Sequence, residues 1–329
     1  ALATIIEGFL AIQTARKAVT EKIETHLIDK AADTAEIIDG RITAFWQFLE
    51  GIARLPLLSD TSLSNAEKIK RLQKEATFNT DIFELDFSEL DGTVHSIDGD
   101  AHIGDREWFQ TARSGKPFIS EPLISRTTQK LIQIIAVPIY DNNRQIIGVL
   151  SADINGLWLS EQIKDILVGQ TGYAFILGST GTNIAHKNTD LVEQRRNVIE
   201  KSKTDTALQS IAEFEKIAMA NSSTSVDFYH YQGEIKISSY AHLGTTGWTL
   251  IISAPQHEFM GTVNTLRTSM IGIGLVILLT TVIIVYLVAR AIVKPINVVV
   301  TALQNIAEGE GDLTVRLPVS GNDEITDLS

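Results

Sequence analysis

TSMIGIGLVILLTTVIIVYLVA, residues 268–289, is a run of 22 residues without a charge, bounded by Arg267 and Arg290. At ~1.5 Å per residue a helix of that length reaches about 33 Å, enough to cross a hydrocarbon core of roughly 30 Å with a small tilt. Its only polar side chains are Ser, Thr and one Tyr, so it lacks the polar face that a soluble helix of this length carries. The run predicts a membrane-spanning helix that divides the chain. Arg290 and Lys294 follow it while only Arg267 precedes it, and this basic bias assigns residues 290–329 to the cytoplasm and the long preceding part to the outside.

The 329 residues are 44% hydrophobic and 21% charged, which suits folded protein with room for a core. The formal net charge is -12 and no basic run stands out, which argues against a nucleic-acid partner. Zero cysteines excludes disulfides and thiolate metal sites, and an outward domain without them suggests a bacterial periplasm or surface. The seven histidines form no HExxH motif, and no GxSxG, P-loop or dinucleotide fingerprint occurs. No catalytic residue, metal site or cofactor is predicted.

ALATIIEGFLAI at the start is mostly apolar, is interrupted by Glu7 and is too short to span. It could be a signal remnant or an interfacial helix. We read residues 1–13 as the tail of a first transmembrane helix, because the outward part needs something to export and tether its N-terminus. With DEITDLS stopping in mid-pattern at the other end, a fragment trimmed at both ends is expected.

Residues 14–55 read as one long helix. Ile23, Leu27, Ala31, Ala35, Ile38, Ile42, Phe45, Leu49 and Ile52 recur at steps of four and three, and no Pro intervenes before Pro56. That length suggests a spine running past more than one globular unit, and a dimer seam. A second helix is expected over 64–75. Short strands follow at 82–87, 92–97, 131–140 and 145–154, with Asp141-Asn142-Asn143 as the turn between the last two and a short helix over 105–113. The theme returns at 172–188 and in SVDFYHYQ, EIKISSYAHL and GWTLIISAP. Two small α+β modules on one spine are the consequence. Past the membrane run, Pro295 predicts a break. Ile292, Ile296, Val299, Leu303 and Ile306 then step by four and three as a coiled-coil seam, released at Gly309 and Gly311.

Residues 292–329, with Pro295, that seam, EGEGDLT (308–314) and DEI (323–325), resemble a HAMP linker of the chemoreceptor type. The pattern departs at Thr326, where Gly commonly follows. Residues 14–265 resemble a double Cache (dCache) sensor, carried by GDREWFQTARSGKPFISEPLISRTT, IAVPIYDNNRQIIGVLSADI, GQTGYAFILGSTGTNIAHKN and GWTLIISAP. The resemblance implies an α+β fold: a long N-terminal helix carrying two PAS-like antiparallel-sheet modules, a distal one over about 60–160 and a proximal one over about 161–258. A transmembrane helix (268–289) and an incomplete HAMP linker (290–329) follow. The order is similar to that of methyl-accepting chemotaxis receptors. That implies a homodimer in the bacterial inner membrane, a periplasmic sensor, and a chemotaxis kinase and adaptor downstream. A histidine kinase or diguanylate cyclase front end, a receptor reading a periplasmic binding protein, and an accessory binding protein remain rivals.

In such sensors the distal module binds small molecules, and the resemblance assigns Arg106, Trp108 and Phe109 to the site. Arg offers a planar fork for a carboxylate, and an aromatic wall packs a ligand body or covers a cation. Asp153 matches the acid that takes an α-ammonium group in amino-acid sensors. Those sensors also carry Tyr where this chain has Ala101, and a Tyr and an Asp where it has Leu123 and Ser125. The expected ligand is therefore an organic acid, an amine, a purine or an unusual amino acid. Ser120, Ser125, Arg126 and Thr128 are candidate further contacts.

Overall fold

The structure is a computed structural model that describes residues 2–125 and 128–307. Arg126 and the motifs at 308–314 and 323–325 lie outside the described residues. The chain divides into two compact units, one of residues 19–260 and the other of the two ends of the chain.

Helix α1 (Leu2–Ala53) is longer than expected, because the mostly apolar residues before Thr14 join it without a break. The stripe read from the sequence is its buried face: Leu27, Ala31, Ile38, Ile42 and Leu49 have no exposed surface. α2 (Pro56–Ser59) turns the chain. α3 (Asn65–Ala76) begins at a capping box in which Ser64 and Glu67 satisfy each other's backbone N–H.

The first module follows: β1 (Ile82–Glu89), β2 (Thr93–Ser96), β3 (Gly99–His102), α4 (Glu107–Arg113), β4 (Phe118–Ile119), β5 (Leu123–Ile124), β6 (Leu131–Tyr140) and β7 (Ile146–Asn155). The strands form one antiparallel sheet in the order β3-β2-β1-β7-β6-β4, with β5 also on β6. The hairpin between β6 and β7 is held where expected, by the Asp141 carboxylate accepting from the N–H groups of Asn143 and Gln145 at 2.8 Å each. α4 packs on β6 and β7.

α5 (Trp158–Ile163) leads into the second module: β8 (Leu167–Val168), β9 (Gly172–Leu177), β10 (Asn183–His186), α6 (Asp190–Glu193), α7 (Val198–Lys201), α8 (Gln209–Ala220), β11 (Ser225–Tyr231), β12 (Glu234–His242), β13 (Thr249–Pro255) and α9 (Gln256–Phe259). Its sheet is also antiparallel, ordered β10-β9-β13-β12-β11 with β8 on β9. Gln232 and Gly233, both at positive φ, make the tight turn from β11 to β12.

One core cluster unites the α1 stripe with Leu85, Ile135 and Leu150 of the first sheet and Ile176, Leu250 and Ile252 of the second. α1 is thus a spine on which both sheets bury a face. Polar contacts add to it. Asp39 of α1 accepts from the N–H groups of Gly244 (2.6 Å) and Thr245 (3.1 Å) in the β12–β13 turn. Arg41 donates to the Gln162 side chain at 2.8 Å.

In the other unit, α10 (Gly261–Val288) runs into a π-helical turn (Ala289–Val293) and then α11 (Lys294–Ala307). Among the described residues one helix is long and apolar enough to cross a membrane, and none of its apolar window is buried. Thr280 and Thr281 donate their hydroxyls to the carbonyls of Val276 and Ile277 at 2.8 Å, which satisfies their polar atoms inside the apolar run. The expected break at Pro295 takes the form of that π turn. A proline brings no N–H to the helical ladder, and the helix widens just before it instead of stopping.

Candidate ligand-binding site

A cavity of about 1060 Å³ opens on one face of the first sheet. Side chains alternate along a strand, so Glu84 and Asp86 of β1 share a face, as do Ser151 and Asp153 of β7. The register sets Glu84 opposite Asp153 and Asp86 opposite Ser151. All four line the cavity. Arg106 and Trp108 at the start of α4 form a second wall, residues 119–125 a third, and Trp46 of α1 a fourth. Trp46 Nε1 donates to the Phe118 carbonyl at 3.3 Å. Thr245, Thr246, Trp248, Ser179 and Arg195 of the second module border the same space.

Arg106 is the residue that caps α4. Its backbone is extended, its N–H bonds the Ile103 carbonyl at 2.9 Å and its own carbonyl accepts from Gln110. Its guanidinium has a 3.9 Å contact to exposed Asp105, an ion pair too open to neutralise it. Trp108 presents its ring to the cavity and packs edge-on against Phe109 at 6.2 Å. Phe109 itself does not line the cavity. One residue further along a helix is a turn of about 100°, and this carries Phe109 into the core against Ala136 and Val149, fully buried. It supports Trp108 where the sequence reading had it touch the ligand.

Ser120 and Ser125 are both buried at the cavity wall. Ser120 accepts from Ile134 N–H through its hydroxyl at 2.8 Å and from Gln133 Nε2 through its carbonyl at 3.0 Å, so it splices residues 119–125 onto β6. Ser125 accepts from Thr128 N–H at 3.3 Å, and Thr128 does not line the cavity. Ala101 and Leu123 do line it.

The sequence reading missed Glu84 and Asp86. A signal was present: two acids at alternate positions of Ile-Phe-Glu-Leu-Asp-Phe put charge on one face of a strand whose other face is apolar. Burial, then Glu84 and Asp153, push Asp86 well above the carboxylate range, and its Oδ1 has no hydrogen-bond partner among the described residues. Burial and the neighbouring Glu84 raise Asp153 to about 7. A positive charge placed beside Asp86 and Asp153 would favour their ionised forms. Glu84, Asp86, Asp98, Asp100, Glu107, Glu121 and Asp153 outnumber Arg106, Lys116 and Arg195 around the cavity, so its lining is predominantly acidic. Among the described residues no group of three metal-ligating side chains is present.

Residues 11–263 match the Cache domain model dCache_1, and residues 287–329 match the HAMP domain. The chain is 26% identical over 289 residues to the methyl-accepting chemotaxis protein PscA of Pseudomonas syringae pv. tomato, covering 84% of this chain and 44% of that protein. It is 25% identical over 323 residues to the methyl-accepting chemotaxis protein PctB of Pseudomonas aeruginosa, covering 95% and 48%. The chain thus spans about half the length of these relatives. The ligand-binding domain of the Pseudomonas fluorescens chemoreceptor CtaA, solved with L-isoleucine, superposes with a TM-score of 0.58 at 18% identity, covering 76% of this chain and 99% of that one. With two antiparallel modules on a helical spine and a family match over three quarters of its length, the chain belongs to the dCache_1 family of Cache-domain sensors and carries a HAMP domain after its apolar helix.

Proposed function

We propose that this chain is the sensing part of a transmembrane chemoreceptor, in which the first module lies distal to the membrane and binds an amino acid or a related amine on the periplasmic side. The observation that carries this reading is that Arg106 at the cap of α4, Trp108 in its first turn and, distant in sequence, Asp153 of β7 line one cavity. An α-carboxylate fits the Arg106 guanidinium, an α-ammonium fits the Asp153–Glu84 pair, and the ligand body packs on Trp108 and Trp46. The excess of acids favours a cationic or zwitterionic ligand over a simple organic acid or a purine. PscA and PctB, which resemble this chain along most of its length, are methyl-accepting chemotaxis proteins by name, and the chemoreceptor CtaA was solved with L-isoleucine.

In this account α10 spans the inner membrane with Arg290 and Lys294 inside. Ile296 and Leu303 of α11, exposed on the single chain, are covered by a second copy in a homodimer. Ligand binding biases two arrangements of spine and membrane helix that differ by about 1–2 Å, and the HAMP domain passes the difference to a chemotaxis kinase through its adaptor. A thermal-shift screen of the chain in nanodiscs against amino acids, amines, organic acids and purines tests the ligand class. Stabilisation by organic acids or purines alone sinks it. Fusing the chain to the signalling portion of PscA and following swimming bias tests the output, and a fusion that folds, binds and never changes bias removes chemotaxis in favour of a kinase or cyclase.

A further inference from the structure

We propose that the second module holds a ligand site of its own, a cavity of about 520 Å³ walled by β9, β10, α8 and the β11–β12 turn, and that it takes a small carboxylate through Arg196, Glu215 and His186. The volume lies within the range of small-molecule sites, roughly 300–1,000 Å³.

Glu215 is the odd residue of α8. It sits among Ile211, Ala212, Phe214 and Ala218, all buried, and is itself only 1% exposed. Its Oε2 has no hydrogen-bond partner among the described residues. An unpaired buried carboxyl is a cost that folding alone gives no reason to keep. Burial raises it to about 8 despite Arg196, so at neutral pH it carries a proton and acts as a donor. His186 accepts the Asn188 N–H at Nδ1 (2.8 Å), which puts the proton of the neutral ring on Nε2. Burial and Arg196 lower it to about 4, keeping it uncharged. Arg196 is fixed in advance: it donates to the Tyr231 hydroxyl at 3.0 Å, lies 5.7 Å from that ring's centroid, and its carbonyl accepts from Asn183 N–H at 2.9 Å.

The cavity thus presents a guanidinium, a protonated carboxyl and a neutral imidazole N–H. Glu215 is the one acidic residue among the described residues that line it. Three donors and no resident anion suit a carboxylate, and Phe175, Val198 and Ile211 suit a short apolar body. The other polar groups around the cavity are consistent with that picture. Burial raises Tyr173 of β9 and Tyr229 of β11, so both stay neutral at physiological pH and above. Tyr240 of β12 accepts from Asn221 Nδ2, Glu200 of α7 pairs with Lys203 at the surface, and Lys187 at the rim adds positive charge. This cavity therefore has the opposite electrostatic sense to the acidic cavity of the first module.

The test is calorimetry on the chain in nanodiscs with butyrate, and with butylamine as the cationic control, from pH 6 to 9. Butyrate should bind equally to the unaltered chain and to Arg106→Ala, and at least tenfold more weakly to Arg196→Gln. Its affinity should be flat to about pH 7.5 and fall roughly tenfold by pH 9 as Glu215 ionises. Glu215→Gln should bind butyrate with that fall removed and with its melting temperature within a few degrees of the parent. The proposal is overturned if butyrate does not bind, if its binding depends on Arg106 and not Arg196, if Glu215→Gln keeps the pH profile, or if butylamine binds in its place.

Discussion

Glu121 of the first module accepts two hydrogen bonds through one oxygen from Ser179 of the second, from the N–H at 2.8 Å and from the hydroxyl at 2.9 Å. Both residues line the large cavity, so a wall of that cavity is tied to the β9–β10 turn of the other module. Gly178 leaves the room for this: a Cβ there would stand 2.3 Å from the Glu121 carboxylate.

Because one contact depends on both positions, Glu121→Ala and Gly178→Ala should not add. Each should cost about 1 kcal/mol, since the bonds are charge-assisted but exposed, and so lower the melting temperature by roughly 2–4 °C. The double variant should melt with Glu121→Ala, because the added methyl then has nothing to displace. Scanning calorimetry reads this directly, and full additivity would show that the two residues act separately.

Asp39 should matter more than its exposure suggests. Its carboxylate holds Gly244 N–H, Thr245 N–H and the Thr245 hydroxyl, and Thr245 borders the cavity. Asp39→Ala should lose about 1–3 kcal/mol, and Asp39→Asn, which keeps an acceptor, should lose less. Equal melting of both variants and the parent would remove Asp39 as the anchor of the second module on the spine.

The raised carboxyls at Asp86 and Asp153 set a pH trend in the ligand-free chain. Between the ordinary carboxylate range and their raised values the native state holds more protons than the unfolded one, so stability falls as pH climbs from about 4 through 7 and beyond. Asp86→Asn should therefore raise the melting temperature by a few degrees at pH 8 and leave it unchanged at pH 4. A cationic ligand should release protons on binding, visible as a dependence of the binding enthalpy on buffer ionisation. No proton release with a bound amine would mean that the acids are already ionised.

Topology can be read with single cysteines in a chain that has none. A Cys at Ser222 should react with an impermeant maleimide in spheroplasts, and one at Gln304 should not. Labelling at both positions contradicts the orientation.

What was legible in the sequence was what has a period or an unbroken apolar length. The α1 stripe from Leu27 to Ile52 and the alternating strands each repeat a pattern long enough to fix an element and its buried face, and the uninterrupted apolar run of 268–289 fixes a long helix with no buried face. The site was legible only in part. Arg106, Trp108 and Asp153, which line one cavity, were named from resemblance and not from any pattern of their own. Phe109 went astray because adjacent helix positions diverge by about 100° and only packing against Ala136 decides which one turns inward. Ser120 sits beside strands of two residues, too short to carry a period. The alternation of Glu84 and Asp86 puts them on one face of β1, but only the cross-strand register with β7 sets them beside Asp153, and Arg196 and Glu215 meet only through the tertiary fold.

The claim that the first-module cavity is a receptor site for an amino acid or amine rests most directly on Arg106 and Asp153. The decisive measurement is calorimetry with the best-stabilising ligand of the screen on the unaltered chain, Arg106→Ala, Trp108→Ala and Asp153→Asn. A charge-assisted bidentate bond is worth about 1.5–3 kcal/mol, so Arg106→Ala should weaken binding of an amino acid by roughly ten- to a hundredfold. Trp108→Ala should weaken it at least as much, and Asp153→Asn should weaken any ligand with an ammonium group. Full affinity in both Arg106→Ala and Trp108→Ala would contradict the account, and tighter binding in Asp153→Asn would contradict the cationic ligand.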